Sequence, residues 1–369
     1  MKKNIVNTLL LVALSSIVAF FSISYIFIPA QSFSENENRV LQTNPRFTFE
    51  KLLDGTYTRQ LHDYFSDQIN LRNSIIELKS LVELAMGKNE NNGVILGKDG
   101  YLIEVPSYTD DNYRYLQNNL RKIEKLMDSL KESGVKVSSA LIPQKIDVLT
   151  DKLPPYYSTE RDKEIWQLVS ENHINLTIPL SNNNGVFYRT DHHWTAEGAY
   201  LAYSSLADTL GYTPLPFDRF NIQVLSNEFQ GTTYSTSGFF FTSAEPIKAP
   251  SIENGRYKMT IVDISAEFDT LYDTSYLNKK DKYSTFLSGN NAHVKIYDTK
   301  DNEKETLLII KDSFSHSLAP YLCEHYNLEL IDPRYFSGSI EDYIKENNIK
   351  NVLFIFGIDT LASANIVIR

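Results

Sequence analysis

Cysteine is almost absent from this chain of 369 residues, which contains only Cys323. A single cysteine excludes an intrachain disulfide, so packing alone must stabilise the fold. The chain has no long run of Lys and Arg, and its formal net charge is −10. Nucleic-acid binding needs clustered basic residues, so this class of partner is not expected. The sequence also has no internal repeat, whereas its 42% hydrophobic content is typical of a globular protein with a sizeable core.

A long uncharged run lies near the N-terminus. Lys2 and Lys3 precede it, and the next charged residue is Glu35. About 20 apolar residues cross a bilayer as a helix, and the two lysines favour a cytoplasmic N-terminus. The sequence therefore predicts an uncleaved signal anchor over residues 1–30, with the remaining chain outside the cytoplasm. Cleavage after Ala30 is the alternative, although the −3 position of that site is Ile28 and not a small residue.

Apolar spacing separates the remaining chain into two parts. Residues 31–100 begin polar and then show a helical spacing, followed by a hairpin pattern with a turn at 98–100. Residues 101–369 alternate helical and strand patterns, which is typical of an α/β domain with a mostly parallel sheet. A Tyr-rich stretch at about 212–285 interrupts this alternation, and we interpret it as an irregular or β-rich insertion.

The same spacing predicts individual helices and strands. Helices are expected at 57–86, 110–133 and 196–210. Strands are expected at 135–143, 174–180 and 306–310. The last of these strands, TLLII, leads directly into the segment KDSFS and then into a further helical stretch.

The KDSFS segment predicts that Ser313 lies at a sharp turn between a buried strand and a helix. The N-terminus of a helix offers unpaired N–H groups and the positive end of the helix dipole, which stabilise a developing oxyanion. A nucleophilic serine is expected at such a position. The alternative is that Asp312 or Ser313 only caps the helix, because Asp and Ser are common N-cap residues.

A nucleophilic serine needs a base, and the segment TDHHWT offers one. In an extended segment, residues two apart project to the same side. Asp191 can therefore orient His193 while the other ring nitrogen of His193 faces the serine. His192 is then expected to point away, Thr195 to cap the following helix, and Trp194 to pack beneath the loop.

Two other interpretations of TDHHWT remain open. Asp191, His192 and His193 could ligate a metal, although adjacent side chains diverge and the sequence has no HExxH motif and no Cys–His set. The histidines could also serve only as hydrogen-bonding groups. We expect neither a metal nor another cofactor, because serine-based acyl transfer needs none.

Two further patterns are less specific. FLSGNNAHVKI places Asn290 in a turn, where its amide could donate to an oxyanion, although Gly-Asn is also an ordinary turn pair. IDPRYF places Arg334 and Tyr335 after a strand, at the edge where open α/β sheets bind ligands. A proline turn with a surface arginine is the alternative. Arg334, Tyr335 and Trp194 are the candidate substrate-binding residues.

TDHHWT followed by KDSFS, behind one N-terminal anchor, resembles the DHHW protein family, which is related to alginate O-acetyltransferase-like and SGNH-hydrolase-like proteins. The stretches FSENENRVLQTNPRFTFEKLLDG, DYFSDQINLRN and NGVILGKDGYLIE extend the resemblance over most of the chain after the anchor. It implies an SGNH-hydrolase-like, three-layer α/β/α sandwich. One departure is Lys311, which stands where such proteins usually have Gly before Asp-Ser.

The resemblance also implies a Ser–His–Asp triad of Ser313, His193 and Asp191, with Asn290 assisting at the oxyanion. The implied activity is an extracytoplasmic O-acetyltransferase in which the serine carries acetyl to a cell-surface or cell-wall polysaccharide. Because acetyl-coenzyme A is cytoplasmic, a multipass membrane O-acyltransferase is the expected acetyl-donor partner. An esterase with the same site and a non-catalytic cell-surface assembly protein are the alternatives.

Overall fold

The computed structural model describes residues 2–106, 108–181, 183, 185–301 and 303–366. These residues form two compact units. The first unit contains residues 2–91 and 234–241, and the second contains the described residues of 92–233 and 242–366. The division predicted from the sequence, at residues 30 and 100, stays a prediction.

The helices of the described residues vary in length from one turn to the 26 residues of the first. They are α1 (Lys2–Phe27), α2 (Phe49–Leu53), α3 (Thr56–Asp67), α4 (Arg72–Ala85), α5 (Asp110–Glu132), α6 (Lys145–Val148), α7 (Glu160–Trp166), α8 (Thr177–Leu180), α9 (Ala196–Leu210), α10 (Thr232–Ser237), α11 (Ser315–Leu322), α12 (Ile340–Glu346) and α13 (Ile358–Ser363).

The strands are short in the N-terminal part of the chain and longer in the main sheet. They are β1 (Phe33–Ser34), β2 (Arg39–Val40), β3 (Glu90–Asn91), β4 (Val94–Leu96), β5 (Leu102–Glu104), β6 (Lys136–Ile142), β7 (Ile174–Asn175), β8 (Ile222–Phe229), β9 (Glu245–Pro250), β10 (Tyr257–Ile261), β11 (Ala266–Phe268), β12 (His293–Asp298), β13 (Thr306–Lys311), β14 (Asn327–Ile331) and β15 (Asn351–Gly357).

The first unit contains the apolar N-terminal helix. Within α1, the segment Ile5–Tyr25 is long and apolar enough to cross a membrane. This helix suits the predicted anchor, while its orientation in a membrane stays a prediction. The single helix predicted at 57–86 is wrong, because α3 and α4 are separate. Leu71 adopts a left-handed conformation (φ 60°), and its N–H donates to the Asn70 side chain at 2.9 Å, which interrupts the helix.

The second unit is built on an eight-stranded mixed sheet with the order β11-β10-β12-β14-β13-β15-β6-β7. The five strands from β14 to β7 run parallel to one another. Antiparallel pairs join β12, β10 and β11 to that parallel region. The prediction of a mixed α/β fold with a mostly parallel sheet is confirmed.

Helices cover both faces of this sheet. Alternate residues of β13 enter different apolar clusters, with Leu307 and Ile309 on one face and Leu308 and Ile310 on the other. The first cluster includes side chains of α9 and α11, and the second includes those of α5, α12 and α13. The central strands are therefore apolar on both sides, as a covered parallel sheet requires.

Two predicted elements differ from the structure. The strand predicted at 174–180 is limited to β7, because Asn175 accepts a hydrogen bond from the Thr177 N–H at 2.8 Å and the chain turns into α8. The stretch at 212–285 is not entirely an insertion. It contains the antiparallel pair β8 and β9, but it also supplies β10 and β11 to the edge of the main sheet.

Candidate active site

Ser313 lies in a turn between β13 and α11, as the sequence predicts. The turn is fixed by the buried carboxylate of Asp312. One oxygen accepts the Phe314 N–H at 3.0 Å, and the other accepts the Gly357 N–H at 2.7 Å. Asp312 thereby ties the turn to the end of β15, while Ser313 remains half-buried.

Three of the predicted site residues lie in one hydrogen-bonded line. His193 Nδ1 is 2.6 Å from Asp191 Oδ1, and His193 Nε2 is 2.8 Å from Ser313 Oγ. Asp191 and His193 are buried. With Nδ1 donating to the carboxylate, Nε2 is free to accept the serine proton. The arrangement matches the nucleophile, base and orienting acid that acyl transfer uses.

The Asp191 carboxylate is held from both sides. Oδ1 also accepts the His193 backbone N–H at 3.0 Å, and Oδ2 accepts the N–H and hydroxyl of Thr232 at 2.8 and 3.1 Å. Gly231 lies against it, since a Cβ at that position would come within 2.1 Å of Oδ2. Burial raises the pKa of Asp191, but the charges of His192 and His193 and the hydrogen bonds of His193 outweigh it, so this pKa lies well below its usual value.

The His193 ring lies between aromatic side chains. It stacks on Tyr283 with ring centroids 3.7 Å apart and 10° between the planes, and Phe314 meets it edge-on at 5.0 Å. Burial lowers the pKa of His193, and the positive charge of His192 lowers it further, against the opposing effect of Asp191. The imidazole is therefore neutral near pH 7, which is the form that can act as a base.

The prediction that His192 points away from the site is wrong. Its ring lies 3.9 Å from that of His193, and its Nδ1 is 2.8 Å from Thr232 Oγ1. The reason is that TDHHWT is a tight loop and not an extended segment. An isolated bridge between Phe187 and Trp194 closes the loop, which allows neighbouring side chains to lie on the same side.

The contacts of Asp191, His192 and His193 also test the interpretation of these residues as metal ligands. The nearest ligand atoms of Asp191, His192 and His193 lie within 4.8 Å of one another. However, the carboxylate and His193 Nδ1 already form a 2.6 Å hydrogen bond, and His193 Nε2 faces Ser313. A shared ion would have to break that bond, so the geometry suits proton transfer better than ligation.

Trp194 is not placed to bind substrate, which corrects its predicted role. The side chain is completely buried. Its indole N–H lies 3.1 Å from the Phe314 carbonyl and 2.8 Å from Ser317 Oγ. Trp194 therefore connects the loop that carries His193 to the helix that follows Ser313. Thr195 caps α9 as predicted, since its side chain accepts the Gly198 N–H at 3.2 Å.

Asn290, Arg334 and Tyr335 are not brought to the hydrogen-bonded line by any contact among the described residues. Asn290 is exposed in the loop before β12. Arg334 donates through Nε and Nη2 to both carboxylate oxygens of Asp332, at 2.9 and 2.7 Å. Tyr335 is exposed, and the Arg334 guanidinium lies 5.5 Å from its ring. Their predicted roles stay predictions.

Lys311 contacts two polar side chains, those of His316 and Asp332. Its side chain is buried, its Nζ donates to His316 Nε2 at 2.7 Å, and it lies 3.5 Å from Asp332 Oδ2. Burial lowers the pKa of Lys311, and Asp332 opposes that effect. The lysine therefore belongs to a charged cluster behind the Ser313 turn and does not enter the hydrogen-bonded line.

A cavity of about 250 Å³ adjoins His192 and Phe314, and sequence reasoning missed its polar residues. Lys145, from α6, is buried and donates to the Leu102 and Arg189 carbonyls at 2.6 and 3.4 Å. In the sequence, the only indication that Lys145 could line a site was its position directly after a predicted strand and a Pro-Gln turn.

Two carboxyl groups also line this cavity. Glu104 accepts a hydrogen bond from the Thr233 hydroxyl at 2.8 Å, and Asp359 lies in the first turn of α13. Burial raises the pKa of Asp359 to about 6, and burial lowers the pKa of Lys145 to about 8. Perturbed groups in a cleft beside a possible nucleophile are typical of functional sites.

Comparison with known proteins finds the same family that the TDHHWT and KDSFS motifs resemble. Residues 165–331 match the DHHW protein family model. A probable alginate O-acetylase AlgJ of Pseudomonas fluorescens is 25% identical over 183 residues, which cover 44% of this chain and 45% of that protein. The match therefore spans less than half the length of this relative.

Two solved structures share the fold. A DHHW family protein from Eubacterium siraeum DSM 15702 superposes with a TM-score of 0.59 at 22% identity, over 75% of this chain and 94% of that one. Bacillus cereus PatB1 superposes with a TM-score of 0.59 at 20% identity, over 75% and 99%. The resemblance to the DHHW protein family that the two motifs predicted is thus confirmed, and the family region at residues 165–331 contains both of them.

Proposed function

We propose that this protein is a membrane-anchored, extracytoplasmic O-acetyltransferase that acetylates a cell-surface or cell-wall polysaccharide. The observation that carries the proposal is the line from Asp191 through His193 to Ser313, with distances of 2.6 and 2.8 Å. The name of the curated relatives, alginate O-acetylase, favours acetyl transfer among the reactions such a site could perform. We further propose that residues 101–369 form an SGNH-hydrolase-like catalytic domain.

The first half-reaction loads the enzyme. His193 Nε2 takes the proton of Ser313 Oγ as this oxygen attacks the carbonyl carbon of an acetyl donor. The Ser313 N–H stabilises the oxyanion, with the Asn290 amide as the predicted second donor. One such donor contributes about 3–4 kcal/mol in well-studied enzymes. The intermediate collapses, His193 returns the proton to the leaving group, and acetyl-Ser313 remains.

The second half-reaction delivers the acetyl group. His193 Nε2 takes the proton of a sugar hydroxyl, and the sugar oxygen attacks the acetyl-serine carbonyl. The bond between Ser313 Oγ and the acetyl carbon breaks, and Oγ regains the proton from His193. Asp191 holds the ring through both steps and stabilises its charged form. No cofactor is needed.

The cavity beside His192 and Phe314 is the proposed place of the acceptor sugar. A sugar ring presents hydroxyl groups that both donate and accept hydrogen bonds. The carboxyl groups of Glu104 and Asp359 can accept from them, and the Lys145 ammonium can donate to them. Arg334 lies outside this cavity and is already paired with a carboxylate.

The proposed location of the catalytic domain determines how the acetyl group must reach Ser313. If α1 anchors the chain with its N-terminus in the cytoplasm, the second unit lies outside, where acetyl-coenzyme A is absent. A multipass membrane O-acyltransferase that passes acetyl across the bilayer is therefore the proposed partner.

The test follows acetyl at both stages. The full-length chain in detergent would receive an activated acetyl ester and a panel of wall-type oligosaccharides, with mass spectrometry of protein and sugar. We expect acetylated sugar and acetyl-Ser313, both lost in Ser313→Ala. Ser315→Ala is the matched control, because its buried hydroxyl has no partner in the described part of the chain. Ester hydrolysis without sugar acetylation would indicate an esterase, and no serine adduct would refute the proposal.

A further inference from the structure

Helix α4 of the first unit exposes an apolar face. Ile75, Leu78 and Val82 expose 42%, 62% and 50% of their surface. Ser80, on the opposite side of the helix, is buried, and its hydroxyl donates to the Gly238 carbonyl at 3.0 Å. The unit therefore packs against one side of α4 and leaves its apolar side to solvent.

These exposed residues follow a coiled-coil pattern. With Ala85, their spacings of three, four and three residues are those of alternating a and d positions in a heptad. Ile75 and Val82 occupy the a positions, and Leu78 and Ala85 occupy the d positions. β-branched residues at a with Leu at d favour a parallel, two-stranded pairing. Ala85, the last residue of α4, is small and also exposed.

The flanking positions allow two identical helices to pair. At the g positions, Ser74 and Leu81 would face Lys79 and Met86 at the e positions of the other helix. One pair joins a hydroxyl to an ammonium, and the other joins two apolar side chains. Neither pair places like charges together. Exposed Leu81 and Met86 would extend the buried area.

The charges of α4 argue against a lipid surface as the occupant. Helices that lie on membranes usually carry many Lys and Arg residues on the polar face. Here two basic residues, Arg72 and Lys79, are balanced by Glu77 and Glu83. A self-complementary apolar stripe with balanced charge fits a protein helix better than an anionic bilayer.

We propose that the α4 seam, formed by Ile75, Leu78, Val82 and Ala85, binds the same seam of a second copy of this chain. Two heptads are too short for a stable coiled coil in solution. Confinement of two anchored chains to one membrane raises their effective concentration and compensates for the short contact. The proposal is independent of the acetyl-transfer reaction.

The test uses single cysteines in the full-length chain reconstituted into liposomes. The native Cys323 is fully buried, so an added cysteine reports alone. Residue 78 would face its own copy across a parallel seam, whereas Asn73 is exposed on the far side of α4. Under mild oxidation we expect Leu78→Cys to form at least tenfold more disulfide-linked dimer than Asn73→Cys. Equal yields would refute the proposal, as would quenching, by spin-labelled lipid tails, of a fluorophore attached at position 78 of the Leu78→Cys variant.

A charge-swap pair separates loss of pairing from loss of folding. In an Ala85→Cys reporter, Leu78→Lys and Leu78→Glu should each lower the cross-linking yield at least fivefold. Reconstituting the two variants together should restore the yield to within twofold, because opposite charges would then meet across the seam. A misfolded variant would not be rescued by mixing. Failure of the mixture to recover, with both variants folded by circular dichroism, would also overturn the proposal.

Discussion

Replacing Asp191 by Asn tests the proposed site most directly. Each carboxylate oxygen of Asp191 faces one backbone N–H, that of His193 at 3.0 Å and that of Thr232 at 2.8 Å. An amide has only one oxygen, so either orientation of Asn places its N–H₂ group against a backbone donor. If N–H₂ faces His193, the imidazole must carry its proton on Nε2, and it can no longer accept the Ser313 proton.

Two magnitudes follow from this geometry. A buried donor without a partner costs about 1–3 kcal/mol, so the free energy of unfolding should fall by that amount. The wrong tautomer in comparable triads lowers kcat by about 10⁴-fold. Steady-state acetyl-ester turnover and thermal unfolding of Asp191→Asn would measure both effects. Ser313→Ala is the control, because it should lose activity without losing the carboxylate contacts.

Two results would contradict the proposed role of the Asp191 carboxylate. If Asp191→Asn keeps more than about a tenth of the kcat of the native protein, the carboxylate does not orient the base, since comparable triads lose far more. If both variants lose activity but unfold at the same temperature as the native protein, the contacts to Asp191 contribute less to stability than the geometry implies.

Four further predictions concern the TDHHWT loop and Gly231, which packs against Asp191. His193 must be neutral to act, and its pKa is lowered, so the rate should fall on acidification only below pH 6.5, the ordinary imidazole value. His192→Gln removes a positive charge that lowers the His193 pKa, so this fall should move to higher pH; an unchanged pH profile would contradict the arrangement. Gly231→Ala places a methyl 2.1 Å from Asp191 Oδ2 and should reduce kcat about 10²-fold, measured beside a thermal melt to confirm folding. Thr195→Ala removes a helix cap and should lower the free energy of unfolding by about 1 kcal/mol, whereas Thr195→Ser should retain it in denaturant titrations.

The sequence predicted the elements that depend on local chemistry. The helix at 110–133 was confirmed almost to its ends, because its apolar residues recur on one face and Gly134 follows it. The strand before Ser313 was equally clear, because an apolar run bounded by polar residues fits a buried parallel strand. The strand at 174–180 failed, because a side-chain turn at Asn175 competes with the apolar pattern.

The residues of the candidate site were also only partly predictable from the sequence. Asp191 and His193 could be paired from sequence because they lie two residues apart, and Ser313 because of its turn. Thr232 and Tyr283 carried no signal, since an isolated Thr or Tyr has many ordinary roles. They reach the site only because the chain between α9 and β12 folds back over the loop.

By itself, the sequence determined the apolar N-terminal helix, the α/β class and the three hydrogen-bonded residues Asp191, His193 and Ser313. These features could be predicted because hydrophobic spacing and residue chemistry are local properties. Only the tertiary structure decided that Trp194 is an internal support, that His192 lies beside His193, and that Lys145 reaches the cavity. Each of these depends on contacts between segments distant in the chain or on the closed shape of one loop. Long-range packing, unlike periodicity, leaves no regular pattern in a single sequence.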